Sequence, residues 1–242
     1  MNPIFIIVLI SVLGPIIGSL IGVIKKPSEK FMFNMLSFAA GVMLAISFLN
    51  LIPESIQLSS ILTCVMGVIL GVLIMFALDK LIPHIHPGLC AQEQGSKLKK
   101  TSIYLLLGIF LHNFPEGMAI AIGAVSDIRI SIAIALAIAI HNIPEGICTS
   151  TPFYYTTKNR VKSFLVSSTT AIPILVGFVF AYYIFQNIPL NIVGLIIGAT
   201  AGLMIYISGD ELIPSSCCRV TNHTTIFSFI LGILFVILLG LI

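Results

Sequence analysis

Eight apolar runs follow one another through this chain, near residues 3–24, 31–53, 60–82, 101–124, 129–150, 163–185, 190–213 and 223–242. Crossing about 30 Å of hydrocarbon takes roughly 20 apolar residues as a helix, and each run is about that long. Only lipid can be the solvent for most of such a surface. A water-facing domain carries about 25% charged residues; this chain carries 9%, with a mean hydropathy of +1.14. Disorder, collagen-like repeats and a secreted disulfide scaffold are excluded, and a net charge of +3 makes no basic face for nucleic acid. Apart from a polar stretch from Pro83 to Lys100 the connections are short, so the expectation is one all-α, polytopic transmembrane domain over 1–242. Cys64, Cys90, Cys148, Cys217 and Cys218 form no CxxC pair and read as reduced. The apolar N-terminus lacks a basic n-region and a cleavage site and reads as a retained first span.

Basic residues set the expected direction. Lys25, Lys26, Lys30, Lys80, Lys97, Lys99, Lys100, Lys158, Arg160, Lys162 and Arg219 fall on one set of alternating loops, and only Arg129 falls on the other. Their side should be cytoplasmic, with both termini outside the cell membrane. On this reading the basic excess orients the protein and implies no acidic partner.

Two internal echoes stand out. Ala40 to Ser55 reads AGVMLAISFLNLIPES and Ala201 to Ser216 reads AGLMIYISGDELIPSS, identical at nine of 16 positions. By the topology above these spans run in opposite directions, which points to an inverted repeat of spans 1 to 3 and 6 to 8 around a central pair. The central pair repeats as well, with His112-Asn113-Phe114-Pro115-Glu116-Gly117 in span 4 and His141-Asn142-Ile143-Pro144-Glu145-Gly146 in span 5.

An ionisable group at the bilayer centre costs about 2.5–3.5 kcal/mol on insertion scales, so two Glu and two His there demand compensation. With His112 at zero, Glu116 falls near 40° and Asn113 near 100° at about 100° per residue, so all three share one helix face. His141, Asn142 and Glu145 do the same. Two facing sets offer up to six N/O donors, a mix suited to zinc and acceptable to Fe(II), Mn(II) or Co(II). A divalent cation would also neutralise both carboxylates. Pro115 and Pro144 withhold an N–H from Leu111 and Ile140 and should kink their helices.

Other polar residues have two readings each. Glu54 either collects cations at the outer end of span 2 or ends a helix in the headgroups. Cys148 lies one turn inward of Glu145, as an exit ligand or as a small buried residue. His84 and His86 either gather metal weakly or form a solvated turn. Asp210 and Glu211 lie near the inner end of span 7, with Asn50 the repeat partner of Glu211.

A transporter is the leading class. The rival, an intramembrane metallohydrolase, would use HExxH, which is missing, and HNxPEG leaves no free base. Metal selectivity, Cd(II) included, is not written in an N/O donor set, and homodimerisation is left open.

The paired HNxPEG motifs, the eight-span outline and the SxDELxP pattern from Ser208 to Pro214 resemble the ZIP (Zrt/Irt-like) metal transporters, in particular the bacterial zinc-uptake branch. The resemblance covers essentially the whole chain. It implies a 3+2+3 helical bundle that takes divalent metal, chiefly zinc, into the cytoplasm through a binuclear centre. His112, Glu116, His141 and Glu145 would form one site; Asn113 and Asn142 would form a second, bridged by the same glutamates. The resemblance also favours an exit role for Glu211. One departure stands out: relatives often carry Glu just before the proline of span 6, where this chain has Ile172. The second site is therefore expected to be weak or absent.

Overall fold

Every apolar run of the sequence is helical over most of its described residues in the computed structural model, which describes residues 3–26, 28–81, 106–118, 120–121, 128–184, 189–217 and 223–239. Helix α1 is Pro3–Ile24 and α3 is Ile61–Leu81. Helix α4 covers 106–118 and 120–121, α5 is Ile128–Thr157 and α8 is Thr224–Leu239. Helix α2 runs from Glu29 to Leu58 with a π-helical turn at Ser47–Leu51, and α7 from Leu190 to Cys217 with one at Ser208–Leu212. Helix α6 joins Arg160–Ser168 to Ile172–Ile184 through a 3-10 turn at Thr169–Ala171. By length and composition α1, α2, α3, α6 and α7 are able to cross a membrane, and α8 is a shorter apolar helix. Among the described residues there is no strand, and the protein is an all-α polytopic membrane protein.

Helix α5 continues seven residues past the expected end of its span, and neither Pro144 nor Pro152 interrupts it. It stops where Lys158 takes a left-handed conformation, φ 57°. The next helix then starts on Asn159, whose Oδ1 accepts from the Lys162 N–H at 2.9 Å.

The helices gather into two compact units. One holds α1, α4 from Ile109 onward, α5 and α6; the other holds α2, α3, α7 and α8. Each three-span repeat is thus divided, giving its first helix to the first unit and the other two to the second. Lipid tails are as apolar as leucine, so close packing, rather than exclusion from water, holds such helices together. Glycine supplies it. In the first unit Gly14, Gly18 and Gly22 recur every four residues along α1, and a methyl on them would overlap the Ala139 carbonyl, the Ile143 carbonyl and the Ser150 hydroxyl of α5. The sequence reading did not pick out this GxxxGxxxG stripe.

The internal symmetry reaches these contacts. In the second unit Gly41 on α2 meets the Phe229 carbonyl of α8, and its repeat partner Gly202 on α7 meets the Val68 carbonyl of α3. The same offset relates Gly71 on Ala199 to Gly232 on Phe38. In the first unit Gly146 lies against the backbone of Pro15 and Ser19 on α1, and Gly117 lies against Ile174 and Phe178 on α6. In return Gly18 meets the carbonyl of Ile143 and Gly177 that of Phe114, the variable residues of the two HNxPEG motifs. Helices α1 and α6 therefore hold equivalent places against α5 and α4.

The two π-turns obey the same relation. The Ile52 N–H bonds to the Ser47 carbonyl and the Ile213 N–H to that of Ser208. Pro53 and Pro214, one residue on, have no N–H to give, so a wider turn keeps the ladder connected.

Candidate metal centre

All six donors proposed from the motifs lie in the first unit, and each is at most 9% exposed. The glycine of each motif seats its helix on α6 or α1, which fixes the rotation of the polar residues just before it. On α4, His112 Nε2 lies 3.8 Å from Glu116 Oε1, consistent with the shared face read from the sequence.

Stronger contacts cross between helices. His112 Nε2 lies 3.0 Å from Glu145 Oε2, and His141 Nε2 lies 2.9 Å from Glu116 Oε1. Each histidine thus pairs with the glutamate of the other motif. The asparagines behave differently. Asn142 Nδ2 donates to Glu116 Oε2 at 2.9 Å, whereas Asn113 Nδ2 donates to the Thr170 carbonyl of α6 at 2.7 Å. That carbonyl belongs to the 3-10 turn, where the Ile172 N–H bonds to Thr169 in place of the missing N–H of Pro173. Ile172 itself is half exposed.

Three buried oxygens, Asn113 Oδ1, Asn142 Oδ1 and Glu145 Oε1, have no hydrogen-bond partner among the described residues. Such a group left unsatisfied costs about 1–3 kcal/mol, and more when charged. All three are acceptors, the chemistry a hard or borderline cation needs. Among the described residues no three His, Cys, Asp or Glu side chains are already spread into a cage for an ion, because they pair with one another instead. A tetrahedral zinc with ligand bonds of about 2.0–2.2 Å separates neighbouring donors by about 3.3–3.6 Å. The three His–Glu separations, 2.9, 3.0 and 3.8 Å, bracket that range.

A layer of hydroxyls braces the site. Thr149 Oγ1 donates to the Glu145 carbonyl at 3.1 Å and contacts Ser167 Oγ on α6, and Ser19 Oγ on α1 donates to Ser167 Oγ at 2.7 Å. Sequence reasoning missed these residues and Thr170. Their signal was only polarity within apolar spans.

The remaining candidates are elsewhere. Cys148 is buried in α5 and Cys64 in α3, neither in a disulfide. In the second unit Glu211 is buried in the π-turn of α7 and accepts from Ser215 Oγ at 3.3 Å; Asp210 is half-buried. Glu54 and Asn50 on α2 are exposed. His84 and His86 lie outside the described residues.

A sequence profile described as ZIP Zinc transporter matches residues 1–99 and 88–240, together nearly the whole chain. The chain belongs to the ZIP zinc transporter family. It is 38% identical over 207 residues to proteins named zinc transporter ZupT from Enterobacter sp. (strain 638) and from Salmonella newport (strain SL254). The matches cover 82% of this chain and 80% of each relative. As a ZIP protein the chain is a transporter of divalent metal and not an enzyme, which sets the metallohydrolase aside.

Proposed function

We propose that this ZIP protein takes up zinc into the cytoplasm as a single transport domain, binding it at His112, Glu116, His141 and Glu145. The observation that carries this reading is the reciprocal His112–Glu145 and His141–Glu116 pairing, with a glutamate oxygen and two amide oxygens left over beside it. An arriving ion replaces the N–H···O contacts with metal bonds and neutralises both carboxylates, so binding removes the main cost of keeping them in lipid. Asn113 and Asn142 offer their Oδ1 atoms from the next position. Without a carboxylate at residue 172 they form a supporting shell, and one ion is held per chain. Iron, manganese and cobalt compete for the same donors in Irving–Williams order, and cadmium competes as a larger, softer ion outside that series.

The site is carried by four helices that pack as one unit, α1, α4, α5 and α6, so alternation of access moves this body rather than the central pair alone. Glu54, just past one π-turn, and Glu211, within the other, act as first and last contacts of the ion. Both termini are placed outside by the charge bias of the loops.

The deciding measurement is metal uptake into proteoliposomes, zinc against manganese and iron, for the wild type and for Glu116→Ala and Glu145→Ala. Zinc uptake lost in both variants is the expected result; uptake retained in both removes the proposed site.

A further inference from the structure

The formal excess of positive charge belongs entirely to the first unit. Its range contains six basic residues, Lys25, Lys26, Arg129, Lys158, Arg160 and Lys162, against three acidic ones, Glu116, Asp127 and Glu145. The second unit has six of each. Two of the three acids are in the metal centre and Asp127 is two residues from Arg129, so five cations have no carboxylate of their own unit. Orienting the protein requires only that basic residues be on one side, and in the second unit two of them, Lys30 and Lys80, directly follow an acid, Glu29 and Asp79.

Packing brings these five to one end of the unit. Helices α1 and α5 run parallel, since Gly14, Gly18 and Gly22 meet Ala139, Ile143 and Ser150 in that order. Helix α6 returns beside them, with Ser167 on Ser19. From that contact, six residues along α1 to Lys25 and seven back along α6 to Arg160 rise about 9 and 10.5 Å, so both arrive at nearly one level. Lys158 turns out of α5 at the same end. Arg160 is aimed by the buried Tyr154, whose hydroxyl accepts from Nε at 2.9 Å; among the described residues the outer guanidinium nitrogens have no hydrogen bond. Lys158 Nζ stands 4.3 Å from the Tyr155 ring centre. Apolar side chains continue from the cations toward the membrane: Val161 is 68% and Leu165 57% exposed on one face of α6, and Ile24, Ile21 and Ile17 are exposed along one face of α1.

We infer that this end of the first unit binds the headgroup of an anionic phospholipid, with Lys25, Lys26, Lys158, Arg160 and Lys162 around the phosphate and the acyl chains along the Val161–Leu165 and Ile24–Ile17 faces. A cationic cap on an apolar strip fits a lipid, whereas a free anion would use the cap alone. Lipid bound here also offsets the repulsion that five cations exert on a divalent ion leaving the unit at this end.

The test uses the purified full-length protein in micelles containing equal phosphatidylglycerol and phosphatidylcholine, with retained lipid counted by native mass spectrometry. The wild type should retain phosphatidylglycerol in preference by about tenfold or more. Lys158→Gln/Arg160→Gln/Lys162→Gln should abolish the preference, and Lys30→Gln/Lys80→Gln should keep it. Arg160→Gln alone, the least disturbing change, should reduce it about fivefold, the factor one cation near an anionic surface contributes. No preference in the wild type overturns the inference, as does equal loss in the Lys30/Lys80 variant. Displacement of the lipid by millimolar inorganic phosphate overturns it in favour of a free-anion site.

Discussion

The two HNxPEG motifs differ in sequence by one residue, yet the structure gives them unequal work. Glu116, on α4, has both oxygens engaged, one by His141 and one by Asn142. Glu145, on α5, meets His112 with one oxygen and keeps the other without a hydrogen bond among the described residues. The asparagines are unequal in turn, because α6 presents the Thr170 carbonyl to Asn113 while Asn142 turns to the carboxylate. Near-identical residues thus acquire different roles from the helices beside them. Glu116 is the half of the pair with both oxygens hydrogen-bonded, and on the proposed reading Glu145 Oε1 is the open valence for an ion that has entered the centre.

The comparison breaks most readily at the glutamates. Glu116→Gln and Glu145→Gln should each lower zinc uptake in proteoliposomes about 100-fold or more, since each removes a charged ligand; a Glu145→Gln variant with wild-type rates would show that the ion does not use the open valence. The asparagines should separate by a smaller factor. Asn142→Ala, which strips a donor from the Glu116 carboxylate proposed as a ligand, should weaken zinc binding by calorimetry about 10-fold or more. Asn113→Ala leaves both carboxylates as they are and should weaken it by several-fold less. Equal losses would mean that both amides touch the ion. The motif glycines should not separate at all. Gly117→Ala and Gly146→Ala each push a methyl into a neighbouring backbone and should each cost about 1–3 kcal/mol in thermal unfolding, whatever their effect on zinc. A large difference between them would refute the equivalence of α1 and α6.

How much of this could be read in advance follows from where the information lies. The eight spans are local, because about 20 apolar residues in a row have few alternatives, and the described helices follow those runs closely. The shared face of His112 and Glu116 was equally legible from helical pitch. Which helix each histidine would turn to was not, since the His–Glu pairs depend on a crossing that glycines of α1 and α6 set together with those of the motifs. Gly14, Gly18 and Gly22 did carry a readable signal, small residues at every fourth position of an apolar helix, that went unused. The π-turns were hidden for another reason: a proline in a span announces a missing hydrogen bond, but not whether the chain answers with a bend, a 3-10 turn or a wider one. Here Pro53 and Pro214 follow a π-turn, Pro173 follows a 3-10 turn, and Pro144 leaves α5 continuous.

The π-turns at Ser47–Leu51 and Ser208–Leu212 also bear on ancestry. A turn of this kind is an α-helix with one residue inserted, and both halves carry the insertion at the same register although their side chains have since diverged, Asn50 in one and Glu211 in the other. A shared register of this kind is what duplication of one half-length chain already carrying the wide turn would leave behind, and the proline after each turn is enough to keep it there while position 50 or 211 changes.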